Sequence, residues 1–269
     1  MQTALHTAIT AAREAGNIII RNIERVDSLA IHAKKKNDFV SEVDLLVEHE
    51  IISIIGRTYP NHSILAEESG RSTDKPDTND YQWIIDPLDG TTNYLHGFPH
   101  HSVSIALRYR QRLEAGVIFD PLRGELFCAS RGNGATLNDR KIRVTNLVDL
   151  ESALLGTGLP FREGQDIDSY LDTLRALMQR TSGIRRAGSA ALDLAYVAAG
   201  RLDGFWEFDL NIWDIAAGCL IIQEAGGLVG DPAGGHTHLE TGNIVAANPK
   251  LFRSMLGVLH TASMSRGQT

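Results

Sequence analysis

The string Trp83-Ile84-Ile85-Asp86-Pro87-Leu88-Asp89-Gly90-Thr91-Thr92-Asn93 constrains this chain more than any other stretch. A short apolar strand ends there in two acids three residues apart. Pro87 fixes the backbone between them, so that both side chains and the intervening carbonyl can face one point. Oxygen donors gathered in this way suit a hard cation such as Mg2+. Gly90, Thr91 and Thr92 follow with backbone N–H groups that can approach a phosphate, placing cation and anion side by side. Asp and Gly are also common turn formers, so the same residues fit a plain turn between strand and helix.

Two further acidic signals bear on that choice. Glu67 and Glu68 follow the strand-like SILA directly, and adjacent carboxylates repel unless a metal, a proton or solvent separates them. Asp214 stands between Trp213 and a long apolar run, where a helix N-cap and a metal ligand are both consistent with it.

Around these acids the pattern of the chain changes once. Leu5, Ile9, Ala12, Gly16, Ile19 and Ile23 predict an amphipathic first helix. After the basic stretch Lys34-Lys35-Lys36, Ser41 and Asp44 form a capping box ahead of Val47, Ile51, Ile54 and Ile55. Strands are expected at Ser63–Ala66 and Trp83–Ile85, with a polar, exposed loop from Gly70 to Asp80 between them. From Ser102 to Val144 alternating segments predict an antiparallel meander. In the second half Ile167, Leu171, Leu174 and Met178 predict a helix, Ala190–Ala199 a second one, and a third opens at Asp214. Strands at ALLGTG, GFWEF, LVG and NIVAAN and a closing helix from Pro249 to His260 complete the reading.

Composition narrows the function classes. The 269 residues are 43% hydrophobic and 22% charged, values of an ordinary globular chain. Lys plus Arg total 26 against 33 Asp plus Glu, a net charge of −7, which disfavours generic nucleic-acid binding. No apolar run of ~18 residues occurs, so no membrane span is expected. The N-terminus lacks a basic leader with an apolar stretch behind it, and Cys128 and Cys219 sit in apolar runs as buried thiols, so a cytosolic location is expected. The 10 histidines show no metal-type spacing.

WIIDPLDGTTNYLH, WDIAAGCLIIQEAGG, the upstream AEES and the intervening GSAA together resemble the signatures of the inositol monophosphatase family, within the lithium-sensitive, Mg2+-dependent sugar phosphatases. GSAALDLAYVAAGRLDGFWE and TGNIVAAN look like its bacterial SuhB-type branch. The resemblance spans roughly residues 5–260 and implies an α/β (α+β) fold, an alternating αβαβα layered sandwich. One domain over 1–269 is expected, with halves 1–145 and 146–269 and the active site between them. It implies hydrolysis of a small phosphorylated polyol, foremost inositol 1-phosphate, using two to three Mg2+ ions per site. Glu67, Asp86 and the Leu88 carbonyl would hold the first metal, Asp86, Asp89 and Asp214 the second, and Glu67 with waters a third. Thr91, supported by Asp44, would orient the attacking water, and Gly90 and Thr91 N–H groups would hold phosphate oxygens. Asp89, Ala190 through its backbone and Glu207 would bind substrate hydroxyls. Fructose 1,6-bisphosphate and nucleotide 3′-phosphates are alternative substrates within the superfamily. A homodimer is implied, and relatives of this branch are also associated with transcription elongation factors and RNA polymerase in ribosomal RNA antitermination.

Two departures touch the substrate rim: Ala66 stands where glycine is frequent, and Asn211-Ile212 replaces His-Cys of the animal members. Three other groups stay off the expected site. Neighbours on an extended segment face opposite ways, so His100-His101 are read as structural or solvated. Lys34-Lys36 fits a solvated loop or a phosphate-facing arm. Arg185-Arg186 fits ion pairing, a dimer interface or a partner contact.

Overall fold

The computed structural model describes residues 2–23, 31–35, 38–71, 80–160 and 164–264. The first half contains α1 (Gln2–Asn22), β1 (Ile31–Lys35), β2 (Asp38–Ser41), α2 (Glu42–Thr58), β3 (Ser63–Ala66), β4 (Gly70–Arg71), β5 (Tyr81–Asp89) and α3 (Thr91–Leu95). The meander follows as β6 (Ser102–Tyr109), β7 (Arg112–Asp120), β8 (Glu125–Ser130), β9 (Ala135–Leu137) and β10 (Arg140–Lys141). The second half runs β11 (Leu154–Thr157), α4 (Ile167–Met178), β12 (Gly183–Arg185), α5 (Ala190–Ala198), β13 (Gly204–Glu207), α6 (Ile212–Glu224), β14 (Leu228–Gly230), α7 (His238–Thr241), β15 (Ile244–Ala247) and α8 (Pro249–Met264).

Period-two alternation sorts the side chains into layers. On β5, Trp83 and Ile85 face α1 and α2, while Ile84 faces the other way, toward α5 and α6. On β13, Phe205 faces α5 and α6, while Trp206 packs with Tyr170 and Leu177 of α4 and Leu251 and Met255 of α8. The expected αβαβα sandwich results: α1/α2, an eight-stranded sheet, α5/α6, a five-stranded sheet, then α4/α8. The first sheet has the order β10-β9-β8-β7-β6-β5-β3-β4 and the second β12-β11-β13-β15-β14. Both faces of β5 are covered, which explains its nearly unbroken burial. No helix among the described residues is long and apolar enough to cross a membrane.

Four expectations need correction. α6 opens at Ile212 with Asn211 as N-cap, so Asp214 is its third residue, not its first. α4 is where the spacing put it, yet Ile167 and Met178 are 53% and 61% exposed; Tyr170, Thr173 and Leu177 form the inner face. Trp206 selects that face, its indole N–H donating to the Thr173 hydroxyl at 3.3 Å and its ring stacked with Tyr170. Lys34 and Lys35 lie in β1, paired antiparallel with β2, not in a loop, and Lys36 lies outside the described residues. Of the expected loop from Gly70 to Asp80, Gly70 and Arg71 pair with β3, and residues 72–79 lie outside the described residues.

Candidate active site

The two acids of the DPLD string share a face because β5 carries a bulge. Asp86 lies opposite Ser104 of β6 and Asp89 opposite Ser102, so three steps on one strand match two on the other. An odd separation in a regular strand would turn the carboxylates to opposite faces; the extra residue restores them to one. That face is the one Ile84 occupies, toward α6. Asp86 Oδ1 accepts the Leu88 N–H at 3.0 Å, and the Leu88 carbonyl accepts the Thr91 hydroxyl at 3.1 Å. Gly90, at φ 98°, takes the left-handed turn, and a Cβ there would lie 3.0 Å from the His100 carbonyl oxygen.

The second half meets this turn through the start of α5 and of α6. Asp89 Oδ2 accepts the Ser189 hydroxyl at 2.6 Å and the Ala191 N–H at 2.7 Å. Asn93 Nδ2 donates to the Ala187 carbonyl at 2.9 Å, and the Ser104 hydroxyl donates to the Trp213 carbonyl at 3.2 Å. The Asp214 carboxylate accepts the Asn211 N–H at 2.8 Å. Glu67, Asp86, Leu88, Asp89, Gly90, Thr91, Ala190, Glu207 and Asp214 all line one cavity of about 560 Å3 between the halves.

Burial, then the charges of Glu67, Asp89 and Asp214, hold the Asp86 carboxyl well above the usual carboxylate range. Burial also pushes Asp89 up to about 6, against the lowering effect of its bonds to Ser189 and Ala191. Carboxylates crowded in this way need protons or positive charge to offset burial and mutual repulsion. Among the described residues, no three His, Cys, Asp or Glu side chains are drawn together tightly enough to hold an ion as they stand. Asp89 is turned to the start of α5, and Asp214 caps its own helix. Glu67, Asp86, Asp89 and Asp214 offer four carboxylates and Leu88 a carbonyl, an all-oxygen set that fits a hard divalent cation.

α2 supports both arms of this arrangement. Its capping-box residue Asp44, fully buried, accepts the Thr91 hydroxyl at 2.9 Å and the Ser41 N–H at 2.8 Å. Burial raises the Asp44 carboxyl, opposed by those hydrogen bonds. One turn further on, Glu48 accepts the Glu68 N–H at 2.8 Å and the Ser69 N–H at 2.9 Å, fixing the turn that presents Glu67.

Glu207 closes the opposite end. Trp206 and Phe208 turn to the outer core, as alternation predicts, and leave Glu207 facing the cavity. Its carboxylate lies against Gly158, where a Cβ would come within 1.8 Å of Oε1. Burial, then Asp193, Asp214 and Asp89, hold it well above the usual range, and Arg186 opposes them. Arg186 lines the cavity beside Asp193, whose Oδ1 lies 3.7 Å from His100 Nε2. His101 is buried edge-on against Tyr94, so both histidines are structural and face apart.

All the expected site residues other than Asp44 therefore line one cavity, and Asp44 touches it through Thr91. Glu48, Ser189, Asp193 and Arg186 were missed as site residues. Ser189 had a readable signal, a serine directly before a predicted helix, and it is the α5 N-cap. Glu48 had none, because a lone acid on an amphipathic helix reads as surface.

The model of the inositol monophosphatase family matches residues 1–264. The Nus factor SuhB of Pseudomonas aeruginosa is 54% identical over 258 residues, 95% of either chain. The extragenic suppressor protein suhB of Bartonella henselae superposes with a TM-score of 0.92 at 43% identity, over 96% of this chain and 98% of that one. The inositol monophosphatase of Anabaena superposes with a TM-score of 0.84 at 38% identity, over 97% and 96%.

Proposed function

Because this chain belongs to the inositol monophosphatase family, we propose that it is a Mg2+-dependent phosphatase of small phosphorylated alcohols, with inositol 1-phosphate as the foremost substrate. The observation that carries the reading is the bulge in β5, which turns Asp86 and Asp89 to one face, toward the helix that bears Asp214. Glu67, Asp86 and the Leu88 carbonyl would hold one Mg2+, Asp86, Asp89 and Asp214 a second, and Glu67 with waters a third. Phosphate monoesters hydrolyse so slowly unaided that the site must lower the barrier by ~20 kcal/mol or more. Bound there, the ions supply acidity to water and positive charge to the phosphoryl group and leaving oxygen.

The chain's own groups do the positioning. The Thr91 proton is held by Asp44 Oδ1 and the Leu88 carbonyl, so Thr91 Oγ1 presents a lone pair to the hydrogen of an attacking water. The Gly90 and Thr91 N–H groups hold phosphate oxygens, presented by the left-handed turn at Gly90, where a Cβ would crowd the His100 and Gly188 carbonyls. Asp89, the Ala190 backbone and Glu207 accept or donate to the hydroxyls of the leaving alcohol. Phosphate release from inositol 1-phosphate, fructose 1,6-bisphosphate and a nucleotide 3′-phosphate, with and without Mg2+, tests the assignment. Mg2+-dependent release fastest from the inositol ester is expected, and no release from any of them overturns it.

A second reading rests on a relative 54% identical that is named a Nus factor. In that reading a homodimer of this chain contacts RNA polymerase or elongation factors, with catalysis secondary. Co-purification with RNA polymerase from native lysate, undiminished by Asp89→Asn, is the expected result; its absence removes the second reading.

A further inference from the structure

The five-stranded sheet reverses direction at β11. The chain leaves β11 through α4 to reach β12 on one side, then returns through α5 to β13 on the other, all three strands parallel. α4 packs on the Trp206 face and α5 on the Phe205 face, so the two helices lie on opposite sides of the sheet. Connections that part to opposite faces leave a crevice beyond the carboxyl ends of the strands, which is where open α/β sheets bind ligands. Gly158 and Glu207 sit at those ends, since Thr157 pairs with Trp206.

The crevice is occupied on both faces. On the α5 side lies the carboxylate cavity; on the α4 side lies a second one of about 400 Å3, and Gly158, Leu159 and Glu207 line both. The Glu207 carboxylate fills the space that a side chain at residue 158 would take, so this acid and a bare stretch of backbone are what divide the two. The second cavity combines Tyr170, Phe208 and Leu259 with Asp166, Asp209 and Asn243. Tyr170 and Phe208 meet edge to face at 6.4 Å, forming an apolar corner. Among the described residues no lysine or arginine lines it, and His260 is the one basic side chain there against the acids Asp166, Asp209 and Glu207, a lining poorly matched to a second phosphate. Carboxylates and an amide beside aromatic rings match a sugar, whose vicinal hydroxyls donate to the oxygens while its C–H face packs on the rings.

We propose that the active-site cleft continues around the ends of β11 and β13 into this second cavity, which takes an uncharged glycosyl extension of the leaving alcohol. The natural substrates then include phosphorylated glycosides. This inference rests on the phosphatase reading and says which alcohols that site accepts.

The test compares kcat/KM for a phosphorylated disaccharide and for inositol 1-phosphate in the unaltered chain, in Ser169→Phe and in Ala233→Trp, which put bulk into the second cavity from α4 and from the turn after β14. The ratio of disaccharide to inositol ester should fall at least about tenfold in each variant, the scale on which a blocked subsite discriminates. Both substrates report on the same folded molecules, so a loss of folded protein cancels in the ratio. An unchanged ratio overturns the inference while leaving the phosphatase reading in place. A nucleoside monophosphate is assayed in the same three proteins, and a fall in its ratio to the inositol ester alone overturns the glycosyl occupant in favour of a nucleoside. If no ester is hydrolysed, the phosphatase reading fails, and calorimetric binding of the unphosphorylated disaccharide, lost in Ser169→Phe, decides the cavity separately.

Discussion

Glu48 holds the backbone of Glu68. The Glu68 N–H donates to Glu48 Oε2 at 2.8 Å, and the Ser69 N–H donates to Oε1 at 2.9 Å, from a side chain that is 4% exposed. Asp44, four residues earlier on the same helix, holds Thr91. Residues at that spacing share a helix face, so α2 fixes the Glu67 arm and the Thr91 arm of the cleft from one rigid element.

Glu48→Gln is therefore expected to act on metal use. An amide can accept only one of the two N–H groups and turns its NH2 toward the other, so the turn carrying Glu67 relaxes. The Mg2+ concentration for half-maximal phosphate release should rise by roughly 10–100-fold, the usual cost of losing support behind a ligand. A lower melting temperature with an unshifted Mg2+ dependence would contradict this role.

Asp89 is proposed to serve metal and substrate together, and its carboxylate also joins the halves through Ser189 and Ala191. Asp89→Asn should lower turnover by far more than the ~100-fold upper range of losses behind a ligand. Asp44→Asn, which reaches the site only through Thr91, should be milder. Circular dichroism on both variants checks that the fold persists, and near-normal Mg2+-dependent turnover in Asp89→Asn would remove it from the ligand set.

What could be read from the sequence was whatever depends on local chemistry. The capping box at Ser41 and Asp44, the meander after Ser102 and the helix ended by Gly200 stand as expected. The DPLD string identified its acids, but not the bulge that turns them to one face, because a bulge is a relation with β6 and has no residue of its own. α4 misled for a related reason. Ile167, Leu171 and Met178 have helical spacing, yet the core is selected by its partners, and Trp206 selects Tyr170 and Thr173. Glu48 was hidden because burial of an acid is decided by the backbone donors it meets 20 residues away.

Lithium is expected to inhibit uncompetitively with respect to substrate. The oxygen set of Asp86, Asp89 and Asp214 suits a small hard cation, and lithium there would trap the state left after the alcohol departs. Initial rates over a matrix of lithium and inositol 1-phosphate concentrations provide the check. Parallel double-reciprocal lines support the second-metal assignment, and full activity at saturating lithium with limiting Mg2+ counts against it.

His101 predicts an acid-sensitive contribution to stability. It is 1% exposed, neither ring nitrogen has a hydrogen-bond partner among the described residues, and it packs edge-on against Tyr94. Burial pushes its pKa down to about 4 from 6.5; Asp120 pulls it up, while His100 and Arg123 push it further down. A base whose pKa is lowered by folding is bound to fewer protons in the folded state, so its contribution is complete above pH 6.5 and is lost as the pH falls toward 4. At pH 5 the loss is about 2 kcal/mol, from 1.36 kcal/mol per unit. The buried carboxylates of Asp44, Asp86 and Asp89, raised by folding, act in the opposite sense, so the wild-type curve alone does not isolate the histidine. His101→Phe keeps an aromatic ring against Tyr94 and cannot be protonated. Urea unfolding of both proteins in metal-free buffer should give a stability difference that moves in favour of the variant by about 2 kcal/mol between pH 7 and pH 5. A difference that stays constant over that interval would mean that His101 is protonated or solvated in the folded protein.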